Sequence, residues 1–281
     1  MAVLSIQSAV AYGYVGNSVA AFALQRLGHE VWPVDTVQFS NHSGYGAWRG
    51  RAWDAATIAE VIRGIGERGQ FGRCRAVLSG YLGEAALGEV VLDAVAEVKS
   101  TNPDAVYCCD PVIGDDHGGV FVRPGIAEFL RDRALPAADL ITPNRFELAL
   151  LSGLKIAGVA DGLAAAMQLR ARGPRLVLMT SLPGPAENEI GMMVATNHGA
   201  WMVATPRLPV SAHGAGDLTA AVFLGHFLAT RDPAAALSRT AGAVHAVLEA
   251  TQRADMPELQ IISAQAQLAD PPRRFEAMRV A

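Results

Sequence analysis

A single α/β domain over residues 1–281, with a mostly parallel central sheet, an antiparallel edge and helices on both faces, is what the amino-acid sequence predicts. Three observations carry this expectation. Short apolar runs alternate with longer amphipathic ones, which is the rhythm of βαβ units. Hydrophobic residues make up 51% of the 281, enough to bury a sizeable core. Two late apolar runs, "EIGMMVAT" and "AWMVATP", are parted only by "NHG", which reads as a hairpin and supplies the antiparallel edge.

In chain order, "AVLSIQ" (2–7) reads as a strand, "NSVAAFALQRLG" (17–28) as a helix and "EVWPVDTV" (30–37) as a strand. A helix near 55–65, a strand at "AVLSG" (76–80) and a helix over 84–99 follow, then strands at "AVYCCD" (105–110) and "DLITPN" (139–144). Helices are expected near 145–152 and 160–172, before a strand at "RLVLMTS" (175–181) and the hairpin. Beyond Pro209 two helices run at about 215–229 and 233–250, and the final "DPPRRFEAMRVA" reads as a loosely held tail. No repeat, low-complexity tract or flexible linker divides the chain.

Composition narrows the function. A formal net charge of -4, from 23 basic and 27 acidic residues without blocks of one sign, offers no footprint for nucleic acid or an anionic membrane. No apolar run is long enough to span a bilayer, and "MAVLSIQSAV" lacks the features of a signal peptide, so a cytoplasmic protein is expected. Cys74, Cys108 and Cys109 are too few and too poorly spaced for a disulfide framework or a zinc site. Small molecules are the expected partners.

Sheets of this kind bind ligands beyond the carboxyl ends of their strands, so polar residues there become the candidates. "GIGERG" (64–69) matches the dinucleotide fingerprint by letter, yet it ends a helix and leads towards a strand, the reverse of the required context. In "SAHGAGDLTAAV" (211–222), by contrast, Gly214, Ala215 and Gly216 open an apolar helix whose unpaired N–H groups and dipole form an anion hole. Asp217 in that turn either complements the dipole or orients an attacking hydroxyl while the N–H groups hold a phosphoryl group.

In "ITPNRFELALL" (141–151), Asn144 and Glu147 have capping-box spacing, and the same glutamate could also hold a hydrated magnesium ion. "CCDPVIGDD" (108–116) adds Asp110, Asp115 and Asp116, residues that turn chemistry also explains. "QFSNHSGYG" (38–46) carries His42, Ser43, Gly44 and Tyr45 on a loop long enough to be a lid; Ser8 and Tyr81 lie on the same rim.

Taken in order, "IQSAVAYGYVGNS", "VQFSNHSGYG", "LSGYLG", "CDPVIGD", "ITPNRFE", "MTSLPG" and "GAGDLTAA" closely resemble the signatures of pyridoxal kinases, in the ribokinase-like superfamily, over nearly the whole chain. "GAGD" alone would indicate only a kinase of that superfamily; "VQFSNHSGYG" narrows the match to vitamin B6. The resemblance implies transfer of the ATP γ-phosphoryl to the 5′-hydroxyl of pyridoxal, or of its alcohol and amine relatives pyridoxine and pyridoxamine, with Mg2+, a monovalent cation (K+ or Na+) and a homodimer. It implies Asp217 as base beside the Gly214, Ala215 and Gly216 anion hole. Ser8, Ser43, Gly44, Tyr45 and Tyr81 would surround the pyridine ring. Asp110, Asn144 and Glu147 would sit about the triphosphate and magnesium, and Asp115, Thr142, Thr180 and Ser181 near a monovalent cation or the nucleotide. Arg207, Leu208, Pro209 and Val210 would border the adenine.

Three departures stand out. Ser43 replaces the usual threonine but keeps its hydroxyl, Val120 stands where some bacterial members carry a cysteine, and His213 adjoins the anion hole where a small or apolar residue is expected. The rival readings are a hydroxymethylpyrimidine kinase and a non-catalytic pyridoxal phosphate-binding protein.

Overall fold

Strand β1 (Ala2–Val10) is buried at every position, as a strand covered on both faces must be. The computed structural model, which describes residues 1–210 and 212–281, places it inside a ten-stranded sheet. Its helices and strands are, in order, α1 (Asn17–Arg26), β2 (Glu30–Phe39), β3 (Gly50–Ala52), α2 (Ala55–Glu67), β4 (Cys74–Ser79), α3 (Ala86–Thr101), β5 (Val106–Cys109), β6 (Gly114–Asp115) and β7 (Gly119–Val120). There follow α4 (Ile126–Phe129), α5 (Leu135–Ala137), β8 (Leu140–Ile141), α6 (Arg145–Ser152), α7 (Val159–Arg170), β9 (Leu176–Pro183), β10 (Glu189–Thr196) and β11 (Gly199–Pro206). The chain closes with α8 (Ala215–Thr230), α9 (Pro233–Ala254), α10 (Gln265–Ala269) and β12 (Met278–Arg279).

The order across the sheet is β12-β11-β10-β9-β8-β5-β4-β1-β2-β3. Pairings from β2 through β1, β4, β5 and β8 to β9 are parallel. From β1 the chain first steps to β2 on one side and then to β4 on the other, so a crevice opens between β1 and β4 at their carboxyl ends. Successive side chains feed opposite faces. Leu4, Ile6, Val77, Tyr107 and Met179 enter one core cluster, packed with residues of α2, α3, α6 and α7. Val3, Ala76, Leu78, Val106 and Leu178 enter the other, with α1, α8 and α9. Helix α8 lies in that second layer and is buried from Leu218 to Leu228, which explains its lack of a polar face.

Several expectations need correction. The hairpin forms as predicted between β10 and β11. A second antiparallel edge, β3 on β2, is too short and too exposed to show as an alternating pattern. The strand expected over 139–144 is only Leu140–Ile141, because its backbone then turns to present Thr142 and Asn144. The C-terminal segment is not loose: β12 pairs with β11, the Phe275 ring lies 5.1 Å from His245, and the Ser238 hydroxyl donates to the Phe275 carbonyl. The "GIGERG" stretch closes α2 ahead of β4, as its context required. Cys74, Cys108 and Cys109 are buried free thiols.

Candidate active site

The mouth of the sheet is built by the segments that follow β1, β2, β5, β8 and β9, and by the start of α8. Gly214 caps α8 at φ +88°, where a Cβ would stand 1.8 Å from the Tyr14 carbonyl oxygen. Only glycine lets the helix begin against that turn. The first α8 amide to reach a carbonyl of its own helix is that of Leu218, on Gly214 at 2.9 Å, so the preceding N–H groups have no carbonyl partner in that helix. Asp217 lies one turn in, half-buried. Withdrawal from water pushes its carboxyl up to about 6, while the Gly16 N–H pulls the other way.

Two further acids stand beside it. Asp110 is pushed up to about 7 by burial and by the charge of Asp217, against the pull of its hydrogen bond from Thr142. That bond, from Thr142 Oγ1 to Asp110 Oδ1, measures 2.7 Å. Glu147 is pushed up to about 8 by burial and by Asp110, partly offset by the amides it accepts. Its Oε1 takes the Ile113 N–H at 2.9 Å, and its Oε2 the Asn144 N–H at 2.9 Å. The Asn144 side chain accepts the Glu147 N–H at 2.9 Å in return, a complete capping box. The capping reading of this pair therefore holds whatever else the carboxylate does. Among the described residues no three His, Cys, Asp or Glu side chains converge as a ready metal cage. What the structure offers instead is two buried carboxylates, Asp110 and Glu147, next to the half-buried Asp217, with Asp110 repelled by Asp217 and Glu147 by Asp110, a donor set suited to a hard cation that keeps its own waters.

The folded chain binds protons on these acids that the unfolded chain would release. They favour the fold most below about pH 4, and that contribution is lost as pH rises through about 6, 7 and 8. We therefore expect the ligand-free protein to melt higher at pH 6.5 than at pH 8.5, and Asp110→Asn to flatten that difference in scanning fluorimetry.

The remaining predicted residues lie on several segments. Thr180 bridges to Asn144, and Ser181 after it has φ +58°, a conformation unusual for a side-chain-bearing residue. Ser43, Gly44 and Tyr45 form an exposed single turn over His213; the His42 and His213 rings stack at 3.9 Å. Ser8 sits against Gly16 of the 13–16 turn, and the Tyr81 carbonyl accepts the Thr36 hydroxyl at 2.8 Å. Asp115 stands apart: it is exposed and its Oδ1 accepts the His117 and Gly118 amides of its own turn, at 2.8 and 2.6 Å. Arg207 to Val210 form a partly exposed strip after β11. Sequence reasoning missed Tyr14, which abuts Gly214, and Glu258, which accepts the Tyr45 hydroxyl. Neither lies in a motif that names its chemistry.

The chain is 56% identical to the pyridoxal kinase PdxY of Rubrobacter xylanophilus, across 99% of this chain and 97% of that protein. It is 48% identical to that of Corynebacterium diphtheriae over 100% of both. The chain belongs to the pyridoxal kinase family. A family model described as phosphomethylpyrimidine kinase also matches residues 53–259, as expected for pyridoxal kinases of ribokinase-like fold. The solved pyridoxal kinase of Leishmania donovani in complex with ADP and pyridoxamine superposes with a TM-score of 0.93 at 28% identity, covering 100% of this chain and 99% of that one. The pyridoxal kinase of Trypanosoma brucei gives 0.88 at 26%, covering 99% of each. No helix among the described residues is long and apolar enough to cross a membrane.

Proposed function

We propose that residues 1–281 form one catalytic domain that transfers the γ-phosphoryl group of ATP to the 5′-hydroxyl of pyridoxal, with Asp217 as the base. The observation that carries this reading is the half-buried carboxylate in the first turn of α8, beside amides that have no carbonyl partner in their own helix. In the proposed mechanism the N–H groups at Gly214, Ala215 and Gly216 hold the transferring phosphoryl group. Asp217 accepts the proton of the alcohol as its oxygen attacks, and the fixed amides stabilise the charge that spreads over the phosphoryl oxygens.

Ser8, Ser43, Gly44, Tyr45 and Tyr81 orient the pyridine ring. Asn144, Thr180, Ser181 and the Arg207–Leu208–Pro209–Val210 strip hold the nucleotide. Mg2+ fits the acidic set: Asp110 and Glu147, each raised by burial and by a neighbouring acid, would hold it through its waters, and it would neutralise triphosphate charge. A monovalent cation, K+ or Na+, belongs near Thr142 and Asp115 in this reading. A homodimer and a cytoplasmic location complete it, the latter supported by three buried free thiols.

A coupled assay with ATP, Mg2+ and either pyridoxal or hydroxymethylpyrimidine tests the assignment. Pyridoxal is expected to turn over at least tenfold more efficiently. Efficient turnover of the pyrimidine alone would transfer the chain to the rival reading, and no phosphorylated product from either would leave only binding.

A further inference from the structure

Glu258 lies between α9 and α10, in none of the motifs above, and is 4% exposed. Among the described residues no basic side chain forms an ion pair with it. A carboxylate carried this far from water needs donors, and its two oxygens each take one. Oε2 accepts the Tyr14 N–H at 3.0 Å. Oε1 accepts the Tyr45 hydroxyl at 2.7 Å. Gly13 makes room, since a Cβ there would stand 2.4 Å from Oε2. The backbone of Glu258 also forms an isolated bridge to His213.

One side chain thus joins the turn after β1 to the lid after β2, beside the residue that precedes the anion hole. The Tyr45 ring is further bounded by Tyr12, with centroids 6.3 Å apart, and by His213, edge-on at 5.8 Å. Partial burial, the hydrogen bond to Glu258 and the charge of that carboxylate push the phenol up to about 12, so the proton stays on Tyr45. The whole 43–46 turn is exposed, so this bond, with the contact of His42 on His213, is what ties it to the body of the protein.

We propose that Glu258 is a positioning residue for the acceptor alcohol: by accepting the Tyr45 hydroxyl it fixes the ring of the lid at the mouth of the site before substrate arrives. The inference rests on the reading of Tyr45 as an acceptor contact. Holding the ring in place in advance removes an ordering cost that binding would otherwise bear, so the effect belongs in the affinity for pyridoxal and not in the chemical step. Glutamine at 258 keeps one acceptor oxygen and replaces the other with an NH2, so with the oxygen on the Tyr14 N–H the charge-assisted bond from the Tyr45 hydroxyl is lost and only a weaker bond of reversed direction can replace it.

The test is steady-state kinetics on the full chain for Tyr45→Ala, Tyr45→Phe, Glu258→Gln and the Tyr45→Phe/Glu258→Gln double variant, with melting temperatures alongside. The proposal expects Tyr45→Phe and Glu258→Gln each to raise the KM for pyridoxal about tenfold, with kcat and the KM for ATP within about twofold of wild type. The double variant should be no worse than either single one. Should Glu258→Gln fail to fold, Tyr45→Phe decides alone, because it leaves the carboxylate bonded to Tyr14. A silent Tyr45→Phe beside an impaired Tyr45→Ala overturns the proposal, since the ring would then act without its hydroxyl. Effects that multiply in the double variant, or a Glu258→Gln whose loss falls on kcat and ATP, overturn it too, placing Glu258 behind the anion hole instead. If even Tyr45→Ala is silent, the acceptor-site reading itself fails.

Discussion

Asp217→Asn lowers kcat by about 10²–10⁴-fold and leaves the affinity for ATP within a few-fold, as loss of a general base alone would do. The side chains are nearly equal in size, so the first turn of α8 keeps its shape and its amides. The capacity to take a proton is removed, together with the charge that raises Asp110. Because the carboxyl is pushed up to about 6, it must be ionised to act, and kcat/KM of the wild type should fall as pH drops through about 6. The residual rate of Asp217→Asn should lack that acid limb. A pH-rate profile of both proteins, with ATP-analogue binding by calorimetry, measures all three quantities; unchanged turnover in the variant would remove Asp217 from the mechanism.

Gly214→Ala should be the most damaging single methyl group in the protein. The residue sits at φ +88°, and the added carbon would fall 1.8 Å from a backbone oxygen of Tyr14, which no side-chain rotation relieves. Either the 13–16 turn or the helix start must move, and both bear on the proposed phosphoryl site. Loss of one aligned donor in such a hole costs about 10²–10³-fold in rate, and kcat/KM should fall by at least that much. The melting temperature should drop as well. Gly216→Ala is the control for stability, since nothing lies within 4 Å of its missing Cβ, and it should melt close to wild type. Equal melting of the two variants would mean that the Tyr14 contact does not constrain the helix.

The residues that proved legible are those whose chemistry is local. The start of α8 could be read from "HGAGD" because a glycine cap and an apolar helix follow one another in the chain. The Asn144–Glu147 box could be read because a helix N-terminus demands that spacing. Short apolar runs made β1, β4 and β9 visible, and the "NHG" turn made the β10–β11 hairpin visible. What escaped depends on contacts between distant segments. Glu258 reaches Tyr45 across 213 positions and Tyr14 across 244, and a lone carboxylate in "MPELQ" carries no sign of either. Edge strand β12 is two residues long, and only its partner β11 makes it a strand. His213 looked misplaced beside the anion hole; its ring instead stacks on His42 and its backbone meets Glu258.

The fit of Tyr14 against Gly214 sets a limit on how this scaffold can be re-engineered. Since no methyl group fits between them, lengthening or grafting the 11–16 loop to admit a bulkier alcohol would tilt the start of α8 and spoil the proposed phosphate capture in the same step. Broader acceptor range is better sought on the far wall, in the 43–46 turn, where the backbone is exposed and new shapes can be tried without disturbing the nucleotide half.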